Sequence, residues 1–300
     1  MTAPRRRPLD SIRVLDATQA VAGPVCAAHL AALGAEVIKI ERPGDGDFAR
    51  RTPPYGGVGG VASVRQQPND ISTPVLKRNR DKLSLALDMG RPEGLEVLNR
   101  LVSTADVFLE NLRPGVTDKL HIDYESLKAH NPKLIYCSIT GFGKSGPYKD
   151  WAAFDTMIQA MSGLMAMTGS EDGPPTRAGI LVADNFAPLF AGIAVLAALR
   201  QRDATGEGQF IEVSLFDCLV SLVWDEPIEL LAAQGKPARM GNRLSRSAPW
   251  NTYPATDGHV MICAPQQDHW ERLTQLMGRP DLLLDPRFTT LELRIKHVVP

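Results

Sequence analysis

The sequence predicts an α/β protein with a parallel sheet, because short apolar strand patterns alternate with helix patterns over its first half. Two strand patterns, 12–16 and 36–41, enclose an apolar helix pattern at 25–33 that Gly34 terminates. A strand, a helix and a second strand within about thirty residues form a βαβ unit. The crossover in such a unit makes the two strands parallel, so the chain opens as part of a parallel sheet.

This alternation continues to about residue 150. It is interrupted by a segment rich in glycine and proline, 43–74, which we expect to be an irregular loop or a flap. Further strand patterns follow at 83–87, 107–109 and 134–139, and helix patterns lie between them at 91–103 and 124–130.

The second half of the chain is richer in helix patterns, and its last part has a different sequence pattern. Helices are predicted at 154–167, 184–200 and 214–234, and a sixth strand at 209–213. Beyond these, a turn at Asp257 and Gly258 separates two strand-like runs, and a helix pattern covers 270–277. We therefore predict a large domain at 1–224 and a smaller α/β domain at 225–300.

Composition describes an ordinary globular chain of 300 residues, 44% hydrophobic and 22% charged. Its 33 Lys and Arg against 34 Asp and Glu give a net charge of −1, which provides no general attraction for nucleic acid or an anionic membrane. The longest apolar runs are shorter than a membrane span and no signal peptide is recognisable, so we expect a cytoplasmic or organelle-matrix location.

The cysteines indicate neither a disulfide framework nor a zinc site. They are far apart in the sequence, form no CxxC pair and lie in apolar stretches. We expect buried free thiols at all four positions: Cys26, Cys137, Cys218 and Cys263.

Two carboxylates, Asp155 and Asp184, stand at the predicted beginnings of apolar helices. Aspartate is among the commonest N-cap residues, so each could simply cap its helix. Each could instead be a reactive carboxylate in a site. The local pattern does not choose between these interpretations.

A resemblance to a known family covers nearly the whole chain. Residues 15–24 read LDATQAVAGP and residues 33–43 read LGAEVIKIERP. Residues 105–115 read ADVFLENLRPG, 136–143 read YCSITGFG, 205–209 read TGEGQ and 285–288 read DPRF. In this order the segments resemble the class III CoA-transferases of the CaiB/BaiF type, which include formyl-CoA transferase and carnitine CoA-transferase.

The resemblance implies an interlocked homodimer whose subunits each have a Rossmann-like large domain and a small domain. Members move CoA from an acyl-CoA to a carboxylic acid through an aspartyl-CoA thioester. Aligned through residues 173–179, the nucleophile corresponds to Asp184. The resemblance implies acyl-CoA and a small carboxylic acid as substrates, with no metal and no permanently bound cofactor.

The resemblance also implies a set of residues that bind CoA. A basic side chain suits its phosphates and a leucine suits its adenine. The positions that match are Ala20, Val21, Ala22, Arg42, Leu87, Asn111 and Lys119. For Lys119 a solvated surface position is an equal alternative.

Some positions depart from particular members of the family. Val21 stands where formyl-CoA transferase has a catalytic glutamine, and Phe154 stands where the 2-methylacyl-CoA racemases have a histidine. Relatives continue past residue 300 with a segment that returns to the large domain. Alternatives to a CoA-transferase are therefore a racemase-like isomerase, or a truncated CoA-binding protein without catalysis.

Overall fold

A six-stranded parallel sheet forms the centre of the computed structural model, which describes residues 7–233, 235 and 237–298. The strands are β1 Arg13–Asp16, β2 Glu36–Glu41, β3 Tyr55–Gly57, β4 Gly60–Ala62, β5 Ile71–Ser72, β6 Lys82–Ala86, β7 Val107–Glu110, β8 Ile135–Thr140, β9 Gln209–Ser214, β10 Trp250–Ala255 and β11 Gly258–Cys263. The main sheet has the order β6-β2-β1-β7-β8-β9. The strand order reverses at β1, and a crevice outside the carboxyl ends of the strands forms at such a point. The predicted α/β class with a parallel sheet is confirmed.

Helices cover both faces of this sheet. They are α1 Ala22–Ala32, α2 Thr73–Arg78, α3 Pro92–Val102, α4 Val116–Lys119, α5 Tyr124–Lys128, α6 Asp155–Met161, α7 Leu164–Met167, α8 Val182–Thr205, α9 Leu215–Val223, α10 Ile228–Ala233, α11 Gln267–Leu276 and α12 Leu291–Lys296. Helices α1 and α8 pack against each other and against the sheet. On the other face, Phe108 and Tyr136 join a core with Leu98 of α3 and Leu127 of α5.

Three predicted segments differ from the structure. The segment 43–74 holds a small antiparallel sheet of order β4-β3-β5, the helix α2 and a 3-10 helix, Phe48–Arg51, rather than only irregular loop. The predicted helix 154–167 divides into α6 and α7 because Gly163 between them has a positive φ of 90°. The predicted helix 214–234 divides into α9 and α10, with Pro227 in the break.

The chain forms two compact units. One consists of residues 1–162 and 179–225 and contains the parallel sheet; the other consists of 163–178 and 226–300. Within the second unit, the guanidinium of Arg239 donates to the carbonyl oxygens of Ser170, Ala166 and Gly173 at 2.9, 2.9 and 2.6 Å. The segment 163–178 is thus held through its backbone carbonyls, and also through the ion pair of its Glu171 side chain with Arg243. Our division at residues 224 and 225 stays a prediction.

Helix α8 is longer than predicted and has two different sides. Its 24 residues are long and apolar enough to cross a membrane by length and composition alone. One side packs against α1, α9 and the sheet. The other side exposes large aliphatic residues: Leu189 is 46%, Ile193 67% and Leu196 38% exposed. This aliphatic face follows a helical spacing of four and three residues.

The cysteines are free thiols, and one of them is not buried. Cys26, Cys137 and Cys218 are buried, as predicted. Cys263 is exposed, so its predicted burial is wrong. It lies on β11, which pairs only with β10 in a two-stranded hairpin, and such a hairpin buries far less surface than the central sheet.

Candidate active site

Asp184 is the third residue of α8 and does not cap it. The helix begins at Val182, two residues earlier than predicted, and its N-cap position is Leu181. The half-buried Asp184 carboxylate has no hydrogen-bond or ion-pair partner among the residues that the structure describes. The capping interpretation of Asp184 is therefore wrong, and its carboxylate oxygens are available to react.

Asp155 supports the start of α8 from a different helix. It is the first residue of α6 and only 3% exposed. Its Oδ1 accepts the backbone N–H of Asp184 at 3.1 Å, and its Oδ2 accepts from Nε2 of Gln159 at 2.6 Å. Gln159 Nε2 also donates to the carbonyl oxygen of Ile180 at 3.2 Å. Asp155 therefore satisfies a backbone donor of α8 rather than a backbone donor of its own helix, and its capping interpretation is also wrong.

Two carboxylates close together make Asp184 unusually basic. Burial, together with the nearby charge of Asp155, raises the pKa of Asp184 to about 6, while Arg78 acts in the opposite direction. The positive end of the α8 dipole favours the carboxylate at the same place. At neutral pH the group is mostly ionised, and it is more basic than an ordinary aspartate. These are useful properties for a nucleophile.

The loop after β1, residues 17–22, is held from three directions. Ala20 has a positive φ of 63°, which is uncommon for a residue other than glycine. Its N–H donates to both carboxylate oxygens of Asp47 at 3.0 and 3.1 Å, and its carbonyl oxygen accepts from Nη1 of Arg78 at 3.2 Å. The Asn111 side chain accepts from the N–H of Gln19 at 2.7 Å and donates to its carbonyl oxygen at 2.8 Å. These bonds fix the strained conformation of the loop.

Beneath this loop lies a buried ionic cluster of Asp16, Lys39 and Lys82. Asp16 has no exposed surface and lies 2.8 Å from Nζ of Lys82 and 3.6 Å from Nζ of Lys39. Lys39 Nζ also donates to the carbonyl oxygen of Thr18, and Lys82 Nζ to that of Pro24. Burial alone would raise the pKa of Asp16, but the two lysines and its hydrogen bonds lower it overall. Asp16 is thus an ionised structural anchor.

A cavity of about 430 Å³ opens at the carboxyl ends of β1, β2, β6 and β7. Its wall includes residues 17–19 of the loop. Aliphatic, cationic and acidic side chains line it, among them Arg42, Leu87, Arg91, Leu112, Leu120, Glu41, Asp47 and Asp88. The leucines offer a nucleotide base an apolar surface, and the two arginines offer its phosphates positive charge. Among the described residues no cluster of three His, Cys, Asp or Glu side chains could hold a metal ion.

The residues predicted to bind CoA have different positions around this cavity. Arg42 and Leu87 line it. Ala20 and Val21 lie in the adjoining loop and Ala22 begins α1, whereas Asn111 is bonded to Gln19. Lys119 is exposed at the end of α4 and does not line the cavity, although the next residue, Leu120, does. The binding roles of all seven stay predictions.

Two residues that organise the site, Asp47 and Arg78, are not among those predicted from the sequence. Asp47 is 27 residues from Ala20 along the chain and Arg78 is 58 residues away. The only local signal for Arg78 was the conspicuous run Arg78-Asn79-Arg80. Nothing in that run indicates which carbonyl group or carboxylate its arginines approach.

Comparisons with known proteins agree on one family. Residues 9–299 match the family described as CoA-transferase family III. A succinyl-CoA:mesaconate CoA-transferase from Haloarcula hispanica is 41% identical over 281 residues, which are 92% of this chain and 69% of the relative. A succinate–glutarate CoA-transferase from Agrobacterium fabrum is 38% identical over 98% of this chain and 72% of its own length. The crystal structure of a CaiB/BaiF family protein from Brucella suis has a TM-score of 0.83 and 39% identity, covering 97% of this chain and 75% of that one.

The raised pKa of Asp184 predicts that replacing it with asparagine stabilises the fold. Because its folded pKa of about 6 exceeds the ordinary 3.8, the ionised group destabilises the folded state. This cost is absent below pH 3.8, grows as the pH rises to about 6 and is complete above that value. We expect Asp184→Asn to raise the free energy of unfolding at pH 7.5 by on the order of 2 kcal/mol, and by less at pH 5.

Urea unfolding at pH 5, 6 and 7.5 measures this difference. The matched control is Asp203→Asn, the same change on an exposed position of the same helix, which measures the effect of the substitution itself. A stabilisation by Asp184→Asn that is equal at all three pH values would contradict the assignment of the raised pKa.

Proposed function

The chain belongs to CoA-transferase family III and is an acyl-CoA:carboxylate CoA-transferase, and we propose that Asp184 is its nucleophile. One observation carries the proposal: Asp184 is a half-buried carboxylate with a raised pKa and no bonding partner among the described residues. Such a group is costly to keep in a fold. A role in the reaction accounts for that cost.

The proposed reaction needs only this carboxylate, CoA and the two acids. The Asp184 carboxylate attacks the thioester carbonyl carbon, and the C–S bond breaks to give a mixed anhydride and the CoA thiolate. The thiolate attacks the aspartyl carbonyl of the anhydride, which releases the donor acid and forms an aspartyl-CoA thioester. The acceptor carboxylate then attacks this thioester, which forms a second mixed anhydride and releases the thiolate. The thiolate finally attacks the acceptor carbonyl of that anhydride, which gives the new CoA thioester and frees Asp184. Because each step balances without another group, we propose that the enzyme has no permanently bound cofactor.

We place the nucleotide of CoA in the cavity lined by Arg42 and Leu87. The loop 17–22 supports this placement, since residues 17–19 line the cavity while Ala20 is bonded to Arg78, whose charge acts on Asp184. The loop therefore connects the cavity to the nucleophile. We assign Ala20, Val21 and Ala22 to the passage of the pantetheine chain, and Asn111 to holding the loop through Gln19.

For the acceptor we propose a short dicarboxylic acid. The support comes from the named substrates of the two relatives, mesaconate and glutarate, which are both dicarboxylic acids. For the donor we propose succinyl-CoA, since succinyl-CoA and succinate are named in the same two enzymes.

We also propose that the enzyme is a homodimer whose interface includes the exposed side of α8. Leu189, Ile193 and Leu196 form an aliphatic face that is costly to leave in water. A second copy of the chain is the proposed cover, as the resemblance to the family implies.

Asp184 variants test the nucleophile. We expect Asp184→Ala and Asp184→Asn to stay folded and to lose transfer by more than about a hundredfold, because no other group forms the anhydride. Asp203→Asn should keep wild-type activity. Borohydride added during turnover should modify Asp184 in the wild-type protein, which peptide mass spectrometry detects. Near-normal transfer by a folded Asp184→Asn variant would remove Asp184 from the reaction.

A substrate screen tests the acceptor class. With succinyl-CoA as donor, we expect kcat/KM for mesaconate and glutarate to exceed that for acetate and butyrate by at least about tenfold, because the distal carboxylate adds binding energy. Product acyl-CoA esters are measured by liquid chromatography, and a reaction without acceptor serves as the control for hydrolysis. Equal use of monocarboxylic acids would reject the proposed acceptor class and leave the transferase activity intact.

An Ile193→Glu variant tests the dimer. A carboxylate in the middle of the aliphatic face should convert the dimer to a monomer in sedimentation velocity, because it would have to be buried without a partner. The control is Val61→Glu, which places the same charge on an equally exposed aliphatic residue of the small antiparallel sheet. A wild-type protein that is monomeric, or that binds lipid vesicles through this face, would contradict the proposal.

A further inference from the structure

Arg78 is a half-buried cation at the end of α2, beside both the loop 17–22 and Asp184. Its Nη1 donates to the carbonyl oxygen of Ala20 at 3.2 Å. With the residues that the structure describes it forms no ion pair within 4.0 Å, although the carboxylates of Asp184 and Asp47 both act on it electrostatically. The guanidinium therefore lies near the nucleophile without occupying its oxygen atoms.

The charges around Asp184 come from few groups. Asp155 faces it from α6, and Arg78 faces it from α2. The other elements packed against α8 are α1, α9, β8 and β9. Their titratable residues are Cys26, His29, Cys137, Tyr136, Glu212, Asp217 and Cys218, and α8 itself adds Arg200, Arg202 and Asp203. None of these shifts the pKa of Asp184, so Arg78 supplies the positive charge that opposes Asp155.

We propose that Arg78 is a positioning residue of the transferase reaction: it balances the charge of Asp155 at the Asp184 carboxylate and fixes the loop 17–22 through the carbonyl oxygen of Ala20. The inference rests on the proposed role of Asp184 as nucleophile. A guanidinium suits this task because it stays protonated even when partly buried, whereas a lysine ammonium in the same surroundings loses its proton more readily.

The distance between the Arg78 guanidinium and the Asp184 carboxylate matters for the reactivity of Asp184. A direct ion pair would engage the lone pairs of the Asp184 carboxylate that must attack the thioester. At more than 4.0 Å, the guanidinium still favours the ionised carboxylate but leaves those lone pairs free. Its hydrogen bond to Ala20 at the same time keeps the loop in the left-handed conformation that this residue adopts.

The pH profile of the reaction separates this role from a purely structural one. The measured quantity is kcat/KM for succinyl-CoA from pH 5 to 9. Its fall at low pH, the acid limb, reports ionisation of Asp184 in the free enzyme. The wild-type limb is expected near pH 6. In Arg78→Met the limb should move up by about one unit, since Arg78 lowers the pKa of Asp184 and loss of a nearby opposite charge shifts a carboxylate by about this much. Activity should then fall about tenfold at pH 5 and recover most of the way by pH 8.5.

Three further variants complete the test. Arg78→Lys keeps the charge and should keep the wild-type limb. Arg78→Gln removes the charge but retains a donor for the Ala20 carbonyl, so it should shift the limb even if Arg78→Met does not fold. Arg80→Met is the matched control, the same substitution two residues further on at an exposed position, and should match the wild type.

An acid limb that stays in place in folded Arg78→Met or Arg78→Gln overturns the inference, as does a loss of activity that is equal at every pH. Either result leaves the proposed function standing as long as Asp184→Asn abolishes transfer. If Asp184→Asn remains active, the nucleophile assignment fails first, so the two failures are distinguishable.

Discussion

The fully buried carboxylate of Asp16 holds the reactive end of the molecule together. A buried aspartate costs several kcal/mol unless cations and hydrogen bonds compensate it. Lys39 and Lys82 supply the positive charge, and Lys82 and Thr18 donate the hydrogen bonds. Each lysine also donates to a carbonyl group of the segment that follows β1, Lys39 to Thr18 and Lys82 to Pro24. Both ends of this segment therefore depend on one ionic cluster, and so does the place where the strand order reverses.

Asp16 and Asp184 meet opposite requirements, because a stable fold needs a compensated charge and a nucleophile needs an uncompensated one. The pairing of Asp16 with two lysines lowers its pKa and keeps it inert, whereas the approach of Asp155 and the burial of Asp184 raise the pKa of the latter. The fold thus contains two different carboxylates: the charge of Asp16 is fully compensated, and the charge of Asp184 is left uncompensated. Functional sites commonly retain such unfavourable groups, because a fully satisfied carboxylate would be a poor nucleophile.

The strands of the main sheet could be predicted to within one residue at each end, because buried parallel strands are short apolar runs bounded by glycine, proline and polar residues. The break at Gly163 was missed because apolar residues continue on both sides of it, whereas the break near Pro227 coincides with the polar pair Asp225 and Glu226, a signal that was overlooked. Asp184 was identified only through the family, since its local pattern resembles a cap. Asp47 and Arg78 act on Ala20 over 27 and 58 residues of sequence, and a local pattern carries no information about such contacts.

The hydrogen bonds of Arg239 have a consequence for how the chain is assembled. The segment 163–178 is synthesised before Arg239, yet three of its carbonyl groups depend on that side chain. Since the first unit also resumes at residue 179, the polypeptide crosses between the two units three times. During synthesis on the ribosome, more than sixty further residues are added after this segment before Arg239 emerges. No single cut in the chain separates the units, and excising the smaller one intact would require joining two distant pieces of sequence.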